Sequence, residues 1–402
     1  MRTSTTPDKT NEPDARVGGA AGDANAANPD APQHGAPSRQ IRAFEAADIP
    51  GVAKLHLKVF PEGDGPHRRT ANAYATYLRE VFVDGPGRGT PFHSLVCEKG
   101  GEIIGFLGVV PVRMHHGNRL IWATCCTQFG VDPDRRGLAG LLLMRRHLAG
   151  PQDLSFSDEC GENVLKLWEW AGGSTIRLAS FQFMRPLRPG RFALSFLRAR
   201  KPLAALAVAA WPIAAAFDAV VTRLPRSHFR RVAPKSTGEQ LDARTMSAML
   251  PLLIGRRALV PAYGRDARDD LRWRLARAGH FSRRGPLHRV LVRAASGEVL
   301  GWYIAYFPAR AVGEVLQVAA GPAQVGAVLD HLFHDAWRAG VVGLSGRIDP
   351  ALAQGYSDAY CIFSRRGPWT VVHSRDPELV NLFHRGDVFV SRLEGEWCAR
   401  FE

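Results

Sequence analysis

From residue 40 onward the chain alternates between two hydrophobic periods. Apolar residues fall in continuous or alternate positions at 40–43, 94–98, 103–113 and 120–131, which predicts strands. They recur every three to four positions at 48–60, 71–83, 138–148 and 163–171, which predicts helices. Asp48 stands where a cap for the first helix belongs, and Gly100-Gly101 supplies a hairpin turn. Further strands are expected at 154–157 and 176–184. The resulting order, β-α-α-β-β-β-α-β-α-β, predicts a mixed sheet with helices on both faces.

The second half carries a faint echo. Gly101-Glu-Ile-Ile-Gly-Phe-Leu107 returns as Gly297-Glu-Val-Leu-Gly-Trp-Tyr303, each in a strand-turn-strand context. A strand at 315–319 and a helix at 325–339 follow, and 369–401 again alternates strand, helix and strand. A second copy of the same fold is therefore expected at about 236–402.

The 402 residues suit two domains, and 46% hydrophobic with 22% charged residues describe a chain with a sizeable core. That composition excludes a wholly disordered chain and a polytopic membrane protein. Lysine and arginine number 52 against 38 acids, a net charge of +14 that favours anionic partners. Residues 1–39 hold almost no large apolar side chain and are expected to be a disordered tail. Acids there exceed bases by one, so the tail is not a nucleic-acid arm. The six cysteines form no CxxC pair, which suits a reducing compartment and argues against a zinc site or a disulfide framework. No apolar run follows Arg2, so no secretory signal is expected and the reading is cytoplasmic.

At 131–148 the sequence VDPDRRGLAGLLLMRRHL ends a strand, makes a small-residue turn and opens a helix. Backbone N–H groups in such a turn can approach a pyrophosphate, and the helix dipole favours its charge. Arg135 and Arg136 add charge that can pair with phosphate oxygens. This stretch resembles the acyl-CoA-binding segment of GCN5-related N-acetyltransferases, where a strand ending V-x-P meets an R-G-x-G/A turn. Val131, Pro133, Arg136, Gly137 and Ala139 match, while Leu141 takes a later position that is usually small.

The resemblance implies an α/β fold of two tandem acyl-CoA N-acyltransferase-like domains, with mixed central sheets flanked by helices. The first would be 40–190 and the second, degenerate one 236–402, joined by a basic apolar linker at 191–235. Acetyl-CoA or another acyl-CoA would be the co-substrate, held by Val131, Arg136, Gly137, Leu138, Ala139 and Gly140, with no metal. Between Val318 and Val325 the second copy has no arginine, so it is expected to have lost cofactor binding.

The segment NVLKLWEWAGG at 163–173 resembles the superfamily's late helix, whose tyrosine often protonates the departing thiolate. Trp168 occupies that position, and an indole N–H is too weak an acid to replace a phenol. Packing is the expected role of Trp168 and Trp170. No acid lies at 124–131, where Thr127 and Gln128 could at most position water. Glu159 and Asp158 are the named candidates for the general base, with helix capping or solvation at a strand end as their alternative role; His115 and His116 are weaker candidates. The implied function is acyl transfer, most often of acetyl, to an amine acceptor such as an amino sugar or cell-envelope precursor. The alternative is a non-catalytic acyl-CoA-binding or assembly protein on the same scaffold. Residues 270–275, DLRWRL, resemble an L-x-W-R motif of some tandem members associated with the cell envelope. They also read as an amphipathic helix with Leu271 and Leu275 inward.

Between the halves, residues 185–235 hold eleven bases against one acid, Asp218. Within them 202–217 is uncharged, rich in alanine and too short to span a bilayer. Two readings stand: a segment lying in the plane of an anionic membrane surface, peripheral at the inner face of the cell membrane, or an apolar helix buried between the domains. The buried helix is favoured, and nucleic acid is disfavoured for want of any recognition motif.

Overall fold

The structure, a computed structural model, describes residues 39–60, 70–135, 137–198, 200–230, 232–254, 257–264, 268–365 and 367–401. The expected tail, apart from Arg39, and the proposed phosphate ligand Arg136 lie outside the described residues.

The first sheet is built from β1 (Arg39–Ala43), β2 (Leu95–Lys99), β3 (Glu102–His116), β4 (Arg119–Val131) and β5 (Leu154–Cys160). β1 to β4 pair antiparallel in sequence order, and β5 runs parallel to β4. Helices α1 (Ile49–Val59) and α2 (Ala71–Leu78) cover one face; α3 (Ala139–Leu148) and α4 (Glu162–Trp170) cover the other. Alternation along β3 divides its side chains between them: Phe106, Val110 and Val112 join the α1–α2 core, Leu107 and Val109 the α3–α4 core. Asp48 does not cap α1 with its side chain; its carboxylate accepts two hydrogen bonds from Arg42 at 2.7 Å and the Glu45 N–H at 2.9 Å.

The chain continues through β6 (Ser174–Thr175), β7 (Gln182–Pro186), α5 (Pro189–Arg198), α6 (Ala204–Ala209) and α7 (Trp211–Val221). Next come β8 (Thr237–Gln240), α8 (Ala243–Leu253), β9 (Leu259–Pro261), α9 (Arg268–His280), β10 (Leu287–Arg293), β11 (Val299–Tyr306) and β12 (Val312–Ala320). The last elements are α10 (Val325–Arg338), β13 (Gly343–Arg347), α11 (Ala353–Asp358), β14 (Ile362–Ser364), β15 (Trp369–His373), α12 (Pro377–Arg385) and α13 (Glu396–Ala399). The second sheet repeats the first, with β8, β10, β11 and β12 antiparallel and β13 parallel to β12. The sequence echo is structural: Gly105 and Gly301 take matching places, and each lies beside a register shift in its hairpin.

The halves exchange strands. β15, from the second half, lies between β5 and β6 in the first sheet. β7, from the first half, lies between β13 and β14 in the second. The strand expected at 176–184 is therefore two pieces in different sheets, split by a short 3-10 turn at Leu178–Ser180. A segment cut at 190 would give away a strand and lack another. The strand expected to close the chain is absent: after α12, Val388 makes one bridge to Leu259, and the end of the chain forms α13.

The linker reading also changes. In α6 and α7, Ala207, Ala214 and Asp218 are buried, whereas Leu206, Val208, Ile213, Phe217 and Val220 are exposed. The helices are not an apolar bridge buried between domains. Among the described residues no helix is long and apolar enough to cross a membrane.

Candidate active site

β4 and β5 stay paired only from Ala123–Leu154 to Cys125–Phe156. Beyond that point the two strands continue without pairing to each other, and a cavity of about 510 Å³ opens between them. Thr127, Gln128 and Phe129 form one wall, Ser157 and Glu159 the other, and Trp168 of α4 closes the base. The Thr127 hydroxyl is buried there with no hydrogen-bond partner among the described residues.

The β4 wall is distorted. Phe106 pairs with Gly130 and Gly108 with Thr127, so Gln128 and Phe129 together oppose Leu107 alone. This bulge puts Gln128 at a φ of 51°, a conformation costly for a residue with a side chain. Such strain persists where the surrounding structure imposes it, and here it breaks the ladder at the cavity.

Strand alternation sorts the two acids proposed as bases. Glu159 lines the cavity and forms an ion pair with Arg400 at 3.3 Å. Asp158 points to the opposite face, where its buried carboxylate pairs with Arg347 of β13 and accepts the Glu396 N–H at 2.7 Å. With its oxygens so engaged, Asp158 is not available as a base in this cavity. His115 and His116 sit at the far end of β3, paired with β9, and are likewise remote.

The sequence reading missed Glu396. Its side chain reaches the cavity from α13, where the Ser157 hydroxyl donates to it and the Glu159 N–H donates at 3.1 Å. Burial pushes its carboxyl up to about 8, and the nearby charge of Asp158 adds to the rise. Glu396 lies 237 residues from Glu159, in no motif; the only hint was the pair of acids Glu394 and Glu396 around a glycine near the chain's end.

The turn proposed for the cofactor follows the end of β4. Asp132 accepts the Asp134 N–H at 2.9 Å, Lys58 pairs with both acids at 2.7 Å, and Arg135 pairs with Glu102 at 2.7 Å. Arg135 is thus engaged on the α1 side of the turn. Gly137 has a φ of 35° and lies beside the guanidinium of Arg39, the last residue of the expected tail. Among the described residues no side chain caps α3, which leaves its first N–H groups for an anion. Gly140 packs closely: a Cβ there would stand 3.1 Å from the Phe129 ring and 3.5 Å from Leu167 and Val131. Ala139 is buried and Leu138 exposed.

In the second sheet the corresponding opening is filled. Beyond the last β12–β13 pair, the Arg392 N–H donates to the Leu316 carbonyl at 3.2 Å, and Gln317 donates to Ser391 at 3.0 Å. Glu394, fully buried, accepts from Tyr263, and Trp397 packs on Phe281 and Tyr306. One stretch, 391–401, closes the second opening and brings Glu396, Arg400 and Phe401 to the first. Helix α9 clamps that stretch: Arg274 donates to the carbonyls of Leu393, Glu394 and Pro111, while Leu271 and Leu275 are in the core.

No family model matches the chain, and no curated protein matches it significantly in sequence. Solved structures do match. A GCN5-related N-acetyltransferase from Anabaena variabilis superposes with a TM-score of 0.53 at 9% identity, over 85% of this chain and 74% of that one. Another from Kribbella flavida gives 0.51 at 12% identity, over 84% and 71%. This chain has the GCN5-related N-acetyltransferase fold. In the frame of that fold, the parted β4 and β5, the bulge and the turn into α3 belong to the first sheet, and the second sheet has its counterpart filled.

Proposed function

We propose that the chain transfers an acyl group from acyl-CoA to an amine in the cavity between β4 and β5. The observation that carries this reading is Glu396, a carboxylate pushed up to about 8 inside that cavity. A base of that strength is partly ionised near neutral pH and is matched to taking a proton from the amine as it attacks. The N-terminus of α3, with Gly137 to Gly140 and Arg39 around it, would receive the pyrophosphate, and Arg136 remains the charge that the sequence offers for it. The thioester would enter the gap between the strands, its carbonyl facing the Gln128–Phe129 bulge, where N–H groups freed from the ladder can stabilise the developing oxyanion.

The amine nitrogen then attacks the thioester carbon, the C–S bond breaks, and Glu396 takes the amine proton as the thiolate departs. Direct attack is favoured over an acyl-enzyme. The cavity thiols Cys126 and Cys160 are raised by burial, Cys160 to about 12, and are kept from acting as thiolates. Acetyl as the acyl group, and an amino sugar or envelope precursor as acceptor, rest on the sequence resemblance.

Trp168, buried where a proton-donating tyrosine is common, supports the second reading, an acyl-CoA-binding protein without turnover. Calorimetric titration with acetyl-CoA, followed by a thiol-release assay over a panel of amines, separates the two. Release with at least one amine supports transfer, whereas binding without release supports the second reading.

A further inference from the structure

Helix α7 is packed inside out. Its inward positions hold Ala214 and Asp218, while Ile213, Phe217 and Val220 face solvent, with Ile213 75% exposed. Asp218 fixes that orientation: its buried carboxylate accepts the Gly190 N–H at 2.6 Å and the Arg191 Nε–H at 2.8 Å, at the start of α5. Helices α5 and α6 pack against α7 and expose further apolar side chains, Phe196, Leu206 and Val208. In the same linker, on either side of α6 and α7 in the chain, Arg198, Arg200, Arg223, Arg226 and Arg230 are exposed. The linker's single acid, Asp218, is turned inward.

We propose that this face docks in the plane of an anionic lipid surface, its apolar side chains entering the interface and its arginines meeting the headgroups. Charge complementarity selects that occupant. A two-fold contact with a second copy would be self-complementary and would set arginines against arginines, with no exposed acid in the linker to neutralise them. A nucleic acid would meet the arginines but leave the aliphatic centre against water or phosphate. The proposal does not depend on the acyl-transfer reading.

The test is co-sedimentation of the full chain with vesicles of phosphatidylcholine alone or mixed with phosphatidylglycerol, at low and high salt. Binding is expected only to the mixed vesicles, weakening as salt rises. The triple variant Arg198→Gln, Arg200→Gln, Arg223→Gln should lose about a hundredfold in vesicle affinity, each arginine near an anionic surface contributing roughly fivefold. Ile213→Ser with Phe217→Ser should also lose binding, and thermal unfolding should be unchanged in both variants because all five side chains are exposed. Equal binding to neutral vesicles, no binding to either, or variants that bind as well as the parent would overturn the proposal. So would a dimer dispersed by Phe217→Ser, or binding to duplex oligonucleotide lost in the arginine variant, if vesicles are not bound.

Discussion

Asp158 of β5 and Arg347 of β13 form a buried ion pair that joins the two sheets at their corresponding parallel strands. The pair sits directly behind the cavity wall, between Ser157 and Glu159. It holds one face of β5 against the second half, while Ser157 and Glu159 on the other face line the cavity.

Removing one partner tests that role. Arg347→Met should destabilise the protein by about 3–5 kcal/mol, because it leaves a carboxylate buried without its cation. Denaturant unfolding gives the number, and a loss below about 1 kcal/mol would show that the pair is relieved by solvent.

The strand exchange predicts that a fragment of residues 40–190 does not fold by itself. It lacks β15, which belongs between β5 and β6, and it carries β7 with no sheet to join. Thermal unfolding of the fragment should show no cooperative transition. A sharp one would mean that the first sheet closes without its borrowed strand.

At the cofactor turn, Arg136→Ala should weaken acetyl-CoA binding by about 1–3 kcal/mol, as expected for loss of a charge-assisted hydrogen bond. Gly140→Val should weaken it further, since even a Cβ there presses on the Phe129 ring. Calorimetry on folded variants checks both; unchanged affinities would move the pyrophosphate away from α3.

Glu396 also predicts a dependence of stability on pH. Its carboxyl is raised from an ordinary 4.5 to about 8, so the folded chain holds a proton that the unfolded chain releases in this window. Stability from this group is full below pH 4.5 and is lost as pH rises towards 8. Buried His56 and His147, pushed down to about 4, work in the opposite direction, but only below about 6.5. Between pH 6.5 and 8, Glu396→Gln should therefore flatten the decline in unfolding free energy. An unchanged slope would place Glu396 in water.

Much of the first sheet was legible in the sequence because local pattern dictates it. β3 and β4 are long apolar strands, Gly100 and Gly101 both adopt positive φ in their turn, and the α3 turn carries its own glycines. Strand alternation sends Asp158 and Glu159 to opposite faces, but nothing local says which face carries the cavity, so both stand as candidates until the parting of β4 and β5 decides between them. Nothing local could reveal the exchange of β7 and β15, whose pairings depend on strands from the other half. Glu396 was hidden for the same reason: its setting is made by Ser157 and Asp158, far away in sequence. The linker misled in another way. An uncharged alanine-rich run reads as buried, and only the packing around Asp218 shows that its larger side chains face out.

The most direct test of the central claim is the pH dependence of amine-stimulated thiol release from acetyl-CoA, compared between the parent protein and Glu396→Gln. The parent's kcat/KM should climb with pH and level off above about 8, following ionisation of Glu396. The variant should lose about 10²- to 10⁴-fold, the usual contribution of a positioned base, together with that inflection, while its affinity for acetyl-CoA is unchanged. A variant that keeps the parent's rate and pH profile would contradict the account.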